Sequence, residues 1–263
     1  QVSKGTKLLL CDHGGYWEKD EYFSSFTKMG DFHLSWGKSE SKKTIQVPMN
    51  LNLKKKKILQ NIKEKKILML LNSELLYNLR LRHQPICGQI LEDYNLWKNF
   101  INNLDNKIRN NLIIRPHPSH DSWNLVEKCN RDFGENYISK RSLLKDDTNR
   151  AKVIVDTHIQ SPFFENMKTG IPMITLFNRT ILNMDTKTSE LFDIFLENKI
   201  IVQNSIEAAA HIKSIWENPL EWWNNSKVMY ARDLFTEFCS METKNNLLFW
   251  KNILNKHIKN SEI

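Results

Sequence analysis

Short apolar runs alternate with amphipathic stretches along most of the chain. Residues 7–11 read as a strand, followed by the paired glycines Gly14 and Gly15. Residues 32–36 and 44–47 are shorter strand candidates. Residues 66–71 are nearly continuous in Ile, Leu and Met, the pattern of a strand buried on both faces. Strands follow at 112–114, stopped by Pro116, then at 153–155, 173–176 and 200–202. Helical periodicity fills the gaps. Leu91, Tyr94, Trp97 and Ile101 recur at helical spacing within 90–108. Residues 123–133, 162–168, 191–197 and 206–216 also predict helices, and the tail, 220–257, reads as two helices without a strand signal.

This alternation implies parallel pairing with right-handed crossovers. The expected fold is α/β: a Rossmann-like, doubly wound parallel sheet with C-terminal helices. In such sheets ligands bind beyond the carboxyl ends of the strands. Residues 50–66 are lysine-rich and lack Gly and Pro, which suits a linker or a surface helix. The expected division is therefore 1–50, the end of a preceding region and its connection, and 51–263, a ligand-binding domain with a helical tail.

Composition narrows the class. At 263 residues and 40% hydrophobic, the chain can bury one large core or two small ones. No apolar run approaches the roughly 20 residues that cross a bilayer. Gln1-Val2-Ser3-Lys4 leads into a strand with no secretory pattern. Cys11, Cys87, Cys129 and Cys239 form no CxxC pair, which argues against a disulfide framework or a structural zinc site. A reducing, cytoplasmic setting fits. The formal charge of +8 admits nucleic acid, an anionic membrane face or a bias in composition. The basic residues concentrate at Lys54 to Lys57 and at Lys63, Lys65 and Lys66, without interleaved aromatics. No nucleic-acid partner is expected, whereas peripheral membrane contact through basic residues stays open.

Four segments at strand ends carry the candidate chemistry. In Asp12-His13-Gly14-Gly15, the glycines allow close backbone approach to a ligand, and a histidine can act as general base. A turn whose histidine caps the backbone explains the segment equally well. In Arg115-Pro116-His117-Pro118, two prolines hold a guanidinium and an imidazole where the chain leaves the sheet. That pair suits a phosphate or diphosphate. The alternative is a rigid loop with Arg115 paired to an acid. Ser161-Pro162 reads as an N-cap with proline at the first helical position, and a helix start at a strand end attracts anions. Glu165 then falls one place beyond the capping-box position, so capping does not explain it. No Asp-x-Asp motif is present, and neither a metal nor a cofactor is expected.

Taken in order, these segments resemble the LIC-type transferase family of bacterial surface-carbohydrate gene clusters. The matching pieces are His13-Gly14-Gly15, Asp31 with Leu34-Ser35-Trp36-Gly37, Arg115-Pro116-His117-Pro118, and Asp156 leading to Pro162, Phe164 and Glu165. Trp222, Trp223, Phe235 and Phe238 match the tail. The pattern is similar to GT-B glycosyltransferases, including CDP-glycerol glycerophosphotransferases and bacterial sialyl- and Kdo-transferases.

That resemblance implies a metal-independent glycosyltransferase acting on a nucleotide-activated sugar, with a CMP-sugar favoured, and on a carbohydrate or lipid-linked acceptor. It implies Asp12 and His13 as catalytic candidates. Gly14, Gly15, Arg115, His117, Ser161 and Glu165 become donor phosphate and nucleotide contacts. It also implies that this chain is the C-terminal, donor-binding half of a GT-B enzyme. The competing class is a non-catalytic nucleotide- or polyanion-binding module derived from a transferase.

Overall fold

The computed structural model describes residues 6–12, 28–38, 41–49, 66–73, 76, 88–117, 123–178, 186–239, 241 and 243–259. His13, Gly14, Gly15, Pro118 and the Lys54 to Lys57 run lie outside the described residues. The chain groups into two compact units. One comprises Gln1–Asn52, Met184–Leu191 and Tyr230–Ile263, and the other Leu53–Asn183 and Phe192–Met229.

The first unit carries a parallel sheet in the order β1 (Leu9–Cys11), β2 (Phe32–Ser35), β3 (Thr44–Gln46). Gly30 permits the turn into β2. A Cβ there would sit 3.1 Å from the Leu10 side chain and 3.2 Å from the Leu8 carbonyl, which leaves little room for anything but glycine. Asp31 accepts the Leu8 amide at 2.7 Å and so sets the register of β1 on β2.

The second unit holds the larger sheet. Its strands are β4 (Lys66–Leu70), β5 (Leu112–Arg115), β6 (Ala151–Asp156), β7 (Met173–Leu176) and β8 (Ile201–Val202). All pair in parallel, in the order β5-β4-β6-β7-β8. The Rossmann-like α/β expectation is met. The first strand sits inside, the second on one side of it and the third on the other. This is the flavodoxin-like order, whose topological switch point lies between β4 and β6.

Alternation sorts the side chains of these strands onto two faces. Ile67, Met69 and Leu71, with Ile114, Val153, Val155 and Ile174, join a core closed by α1 (Gln89–Asn103) and by α7, which spans Ser205–Ile215. The two helices pack on one another, and Ala208 and Ala209 permit close approach. Trp97 and Phe100 fill this layer, at 2% and 0% exposure.

The short α2 (Asn106–Arg109) leads into β5, and α3 (Leu125–Phe133) and a 3-10 turn (Glu135–Tyr137) follow it. On the opposite face α4 (Leu144–Thr148) packs on β6 and α5 (Ser161–Thr169) on β7. Gly170, at φ 80°, ends α5 in the left-handed conformation that glycine adopts without strain. Phe163 of α5 meets Phe195 of α6 (Thr186–Glu197) with ring centroids 6.2 Å apart.

Two expectations need correction. Among the described residues the tail contains three helices, α8 (Pro219–Trp223), α9 (Ser226–Cys239) and α10 (Asn246–Lys259), where two were read. The polar pair Asn224-Asn225 interrupts the apolar periodicity too briefly to be recognised as a break in sequence. Helix α5 begins at Ser161, so Gln160 is the cap residue and its side chain makes no capping hydrogen bond. Ser161 is the first helical residue and Pro162 the second.

Candidate functional site

The switch point is built by the residues that follow β4 and β6. Register places Arg115, Leu70, Asp156 and Thr175 in one row across four adjacent strands, at or near their carboxyl ends. Just beyond, Thr157 joins the two inner strands. Its hydroxyl donates to the Leu70 carbonyl at 2.8 Å and accepts the Asn72 amide at 3.0 Å. Replacing Thr157 by Val keeps the shape but strands two buried backbone groups. The variant is expected to lose about 1–3 kcal/mol in urea unfolding.

Asp156 turns the chain out of β6. Its Oδ1 accepts the amides of Thr157 at 2.9 Å and His158 at 3.4 Å. The residue is only 3% exposed, and burial pushes its carboxyl up to about 7. The two amides pull the other way, and the nearby Glu165 carboxylate adds a smaller upward push. Glu165 thus lies near Asp156 beside the start of α5. His158 is buried against the Phe177 ring, centroids 5.4 Å apart.

Three buried polar atoms in this small region have no hydrogen-bond partner among the described residues: Asp156 Oδ2, Asn72 Nδ2 and Thr175 Oγ1. They come from the ends of three neighbouring strands. Buried polar groups without a partner cost free energy, and these three lie together where a doubly wound sheet receives its ligand. Pro162 brings no amide hydrogen, so the first turn of α5 offers at most the amides of Ser161 and Phe163 to an anion. Ser161 and Glu165 are both partly exposed.

Arg115 ends β5 with its side chain directed inward. Nη1 donates to Asp147 Oδ2 at 2.7 Å and to the Arg141 carbonyl at 3.0 Å, and Nη2 donates to the Ser142 carbonyl at 3.0 Å. Ser139 Oγ lies at 3.4 Å and also donates to Asp147. The side chains of Arg115 and Asp147 are 11% and 1% exposed. This is the rigid loop with Arg115 paired to an acid. The guanidinium fixes the exit from β5, and His117, two residues on, stands exposed at the surface.

In the first unit the Asp12 carboxylate is similarly engaged. Oδ1 is 2.8 Å from His33 Nε2, and Oδ2 accepts from the Ser35 hydroxyl at 3.0 Å and the Trp36 amide at 2.8 Å. Asp12 and His33 are 8% and 2% exposed. These contacts fit a residue that locks β1 to β2. The motif Leu34-Ser35-Trp36-Gly37 supplies two of the three partners.

Of the candidate residues, Arg115, His117, Ser161 and Glu165 share the second unit, and Asp12 belongs to the first. His13, Gly14 and Gly15 lie outside the described residues. Asn72 and Thr175 were not singled out from sequence. Asn72 follows an apolar strand and Thr175 lies within one, and only the register brings them beside Asp156. The strand-end rule was the signal that could have found them.

The architecture has counterparts among solved structures. A candidate UDP-N-acetylglucosamine 2-epimerase from Listeria monocytogenes shares 12% identity over 99% of this chain and 70% of that one, with a TM-score of 0.52. WaaG, a glycosyltransferase involved in lipopolysaccharide biosynthesis, shares 13% over 88% of this chain, at a TM-score of 0.48. The wall teichoic acid polymerase TagF shares 12% over 91% of this chain and 61% of that one, at 0.46. The chain spans 60% of the WaaG chain. At these identities the likeness concerns the fold. No curated protein matches the sequence. A model described as the LIC12162 family transferase matches residues 1–254, nearly the whole chain, and this protein belongs to that transferase family.

Proposed function

We propose that the second unit binds the nucleotide of an activated sugar donor, and that the chain is the donor-binding part of a glycosyltransferase. The observation that carries this reading is the cluster of unsatisfied buried polar atoms at the switch point, Asp156 Oδ2, Asn72 Nδ2 and Thr175 Oγ1. Membership of a transferase family supports it. A cytidine nucleotide, as in a CMP-sugar, is the specific form proposed, with a role in surface polysaccharide assembly.

In this reading the exposed His117 contacts the donor phosphate, aided by the Ser161 amide at the start of α5. Glu165 accepts hydrogen bonds from donor hydroxyls. Arg115 contributes by holding the turn that presents His117, because its own hydrogen bonds are spent on Asp147 and on the carbonyls of Arg141 and Ser142. His13, with Gly14 and Gly15 beside it, is the proposed general base on the acceptor hydroxyl, and Asp12 positions it. Leaving-group charge is then neutralised without a divalent metal, by an imidazole and helix amides. The acceptor is a carbohydrate or lipid-linked sugar. Among the described residues no helix is long and apolar enough to cross a membrane, and contact with a membrane face belongs to the proposal.

Calorimetric titration with CMP, CDP and UDP tests it. Micromolar binding of a cytidine nucleotide is expected, weakened at least about tenfold by His117→Ala, the cost of one charge-assisted contact. Absence of binding to all three nucleotides overturns the reading and favours a non-catalytic module.

A further inference from the structure

The last helix, α10, is apolar on two sides. Phe249, Trp250, Ile253 and His257 recur at helical spacing and are half-buried, which makes theirs the packed side. The His257 ring lies 4.3 Å from that of Phe32 in β2, within the first unit. The other side carries Leu247, Lys251 and Leu254, four and three residues apart and so on one stripe, with Leu248 alongside. Leu247, Leu248 and Leu254 are 82%, 53% and 38% exposed. Asn245 Oδ1 accepts the Leu248 amide at 3.0 Å, so the first two leucines stand on a capped helical turn.

Charge says what such a stripe can meet. Between Glu242 and Glu262 the chain carries Lys244, Lys251, Lys256 and Lys259 and no acid. Lys244, Lys251 and Lys256 are exposed and form no ion pair with a described residue. A single exposed leucine is ordinary, but three on one stripe of a lysine-bearing helix suit a surface that is apolar below and anionic above. A second copy of the stripe would set lysine against lysine with no acid to meet it. The same pairing recurs close by. The Phe32 amide donates to the Leu8 carbonyl at 3.4 Å, which sets the carboxyl end of α10 beside the amino ends of β1 and β2. There Lys7 with Leu8, and Lys28 with Met29, are exposed, and Asp31 is engaged by the Leu8 amide.

We propose that α10 lies on an anionic phospholipid surface, with Leu247, Leu248 and Leu254 at the acyl boundary and Lys244 and Lys251 at the head groups. The inference rests on the membrane contact included in the function above, and it assigns that contact to α10 rather than to the Lys54 to Lys57 run. With 14 residues the helix is too short to cross a bilayer, so it lies in the plane of the interface. The lysine stems extend along the apolar layer while their ammonium groups stay among the phosphates. Binding therefore needs both the leucines and the lysines, and it weakens as salt screens the lysines.

Co-sedimentation of the full chain with vesicles tests the proposal, using phosphatidylcholine alone and phosphatidylcholine mixed with phosphatidylglycerol. Binding to the mixed vesicles is expected, with little to the neutral ones. It should weaken about tenfold or more in Leu247→Ser/Leu248→Ser and in Lys244→Gln/Lys251→Gln. All four side chains are exposed, so both variants should keep the wild-type urea midpoint. Lys54→Gln/Lys55→Gln should bind the mixed vesicles as the wild type does. Vesicle binding that survives both α10 variants and is lost in Lys54→Gln/Lys55→Gln overturns the inference while leaving membrane contact in place. Absence of binding to either vesicle overturns both. Self-association in sedimentation velocity that the leucine variant abolishes, without vesicle binding, gives the stripe to a second copy and also overturns the inference.

Discussion

Replacing Asp147 with Ala is expected to destabilise the protein by about 3–5 kcal/mol, read from the urea midpoint at pH 7.5. The reason is the state of Arg115 afterwards. Its side chain is 11% exposed and its partner 1%. Without Asp147 the guanidinium keeps the carbonyls of Arg141 and Ser142 but loses its counter-charge. A buried, uncompensated charge is costly, whereas removing both partners is not. The double variant Arg115→Met/Asp147→Leu should therefore recover most of the loss. If the single and double variants are equally unstable, packing of α4 on β6 dominates and the ion pair is incidental. The same experiment bears on the site. The turn at Pro116 should loosen in Asp147→Ala, so nucleotide affinity should fall there without any change at His117.

Asp156→Asn is expected to stabilise the protein above pH 7 by up to about 4 kcal/mol and to change it little near pH 4. Burial raises this carboxyl from 3.8 to about 7 in the folded state. The folded protein then binds more protons than the unfolded chain between those values. Stability contributed by the neutral acid is complete below pH 4 and is lost as pH rises through 7, at about 1.4 kcal/mol per unit of displacement. Asparagine cannot ionise, and its Oδ1 can still accept the amides of Thr157 and His158. The difference between wild type and variant should thus grow from pH 4 to pH 7 and flatten above it.

Asp93 gives wild type and variant the same background. It too is raised to about 7, by burial and then by Glu92, so both proteins lose stability over this range. His211, held near 4 by burial and by Lys199, acts oppositely and costs stability as pH falls below 6.5. A variant whose gain did not depend on pH would show that Asp156 is already charged at neutrality. A gain in stability accompanied by weaker nucleotide binding would place Asp156 among the groups whose strain is retained for the ligand.

The order of elements was legible from sequence, and the physical reason is local. Runs such as Ile67 to Leu71 and Met173 to Leu176 are buried on both faces, so nearly every residue is apolar and the strand declares itself. The break after Ile114 was visible because Pro116 cannot continue a ladder. Asp156, Arg115 and His117 were also visible as strand-end residues, since the sheet type dictates where ligands approach. Boundaries were less so: Ser161 has the side chain of an N-cap, yet Gln160 takes that place without a capping hydrogen bond.

What Arg115 does was not decided by its neighbours in the chain. Both a phosphate ligand and an ion-paired strut fit Arg-Pro-His-Pro. The choice rests on Asp147, 32 positions away, which α4 brings beneath the guanidinium. Likewise, Asp12 reads as part of a loop motif until β2 places His33, Ser35 and Trp36 around its carboxylate. Asn72, Asp156 and Thr175 become one cluster only through the pairing of β4, β6 and β7. Local hydrophobic pattern determines which segments become strands and helices, because burial acts on each segment separately. Which charges are spent inside the fold and which remain for a ligand depends on partners far apart in sequence, and only the tertiary structure brings those together.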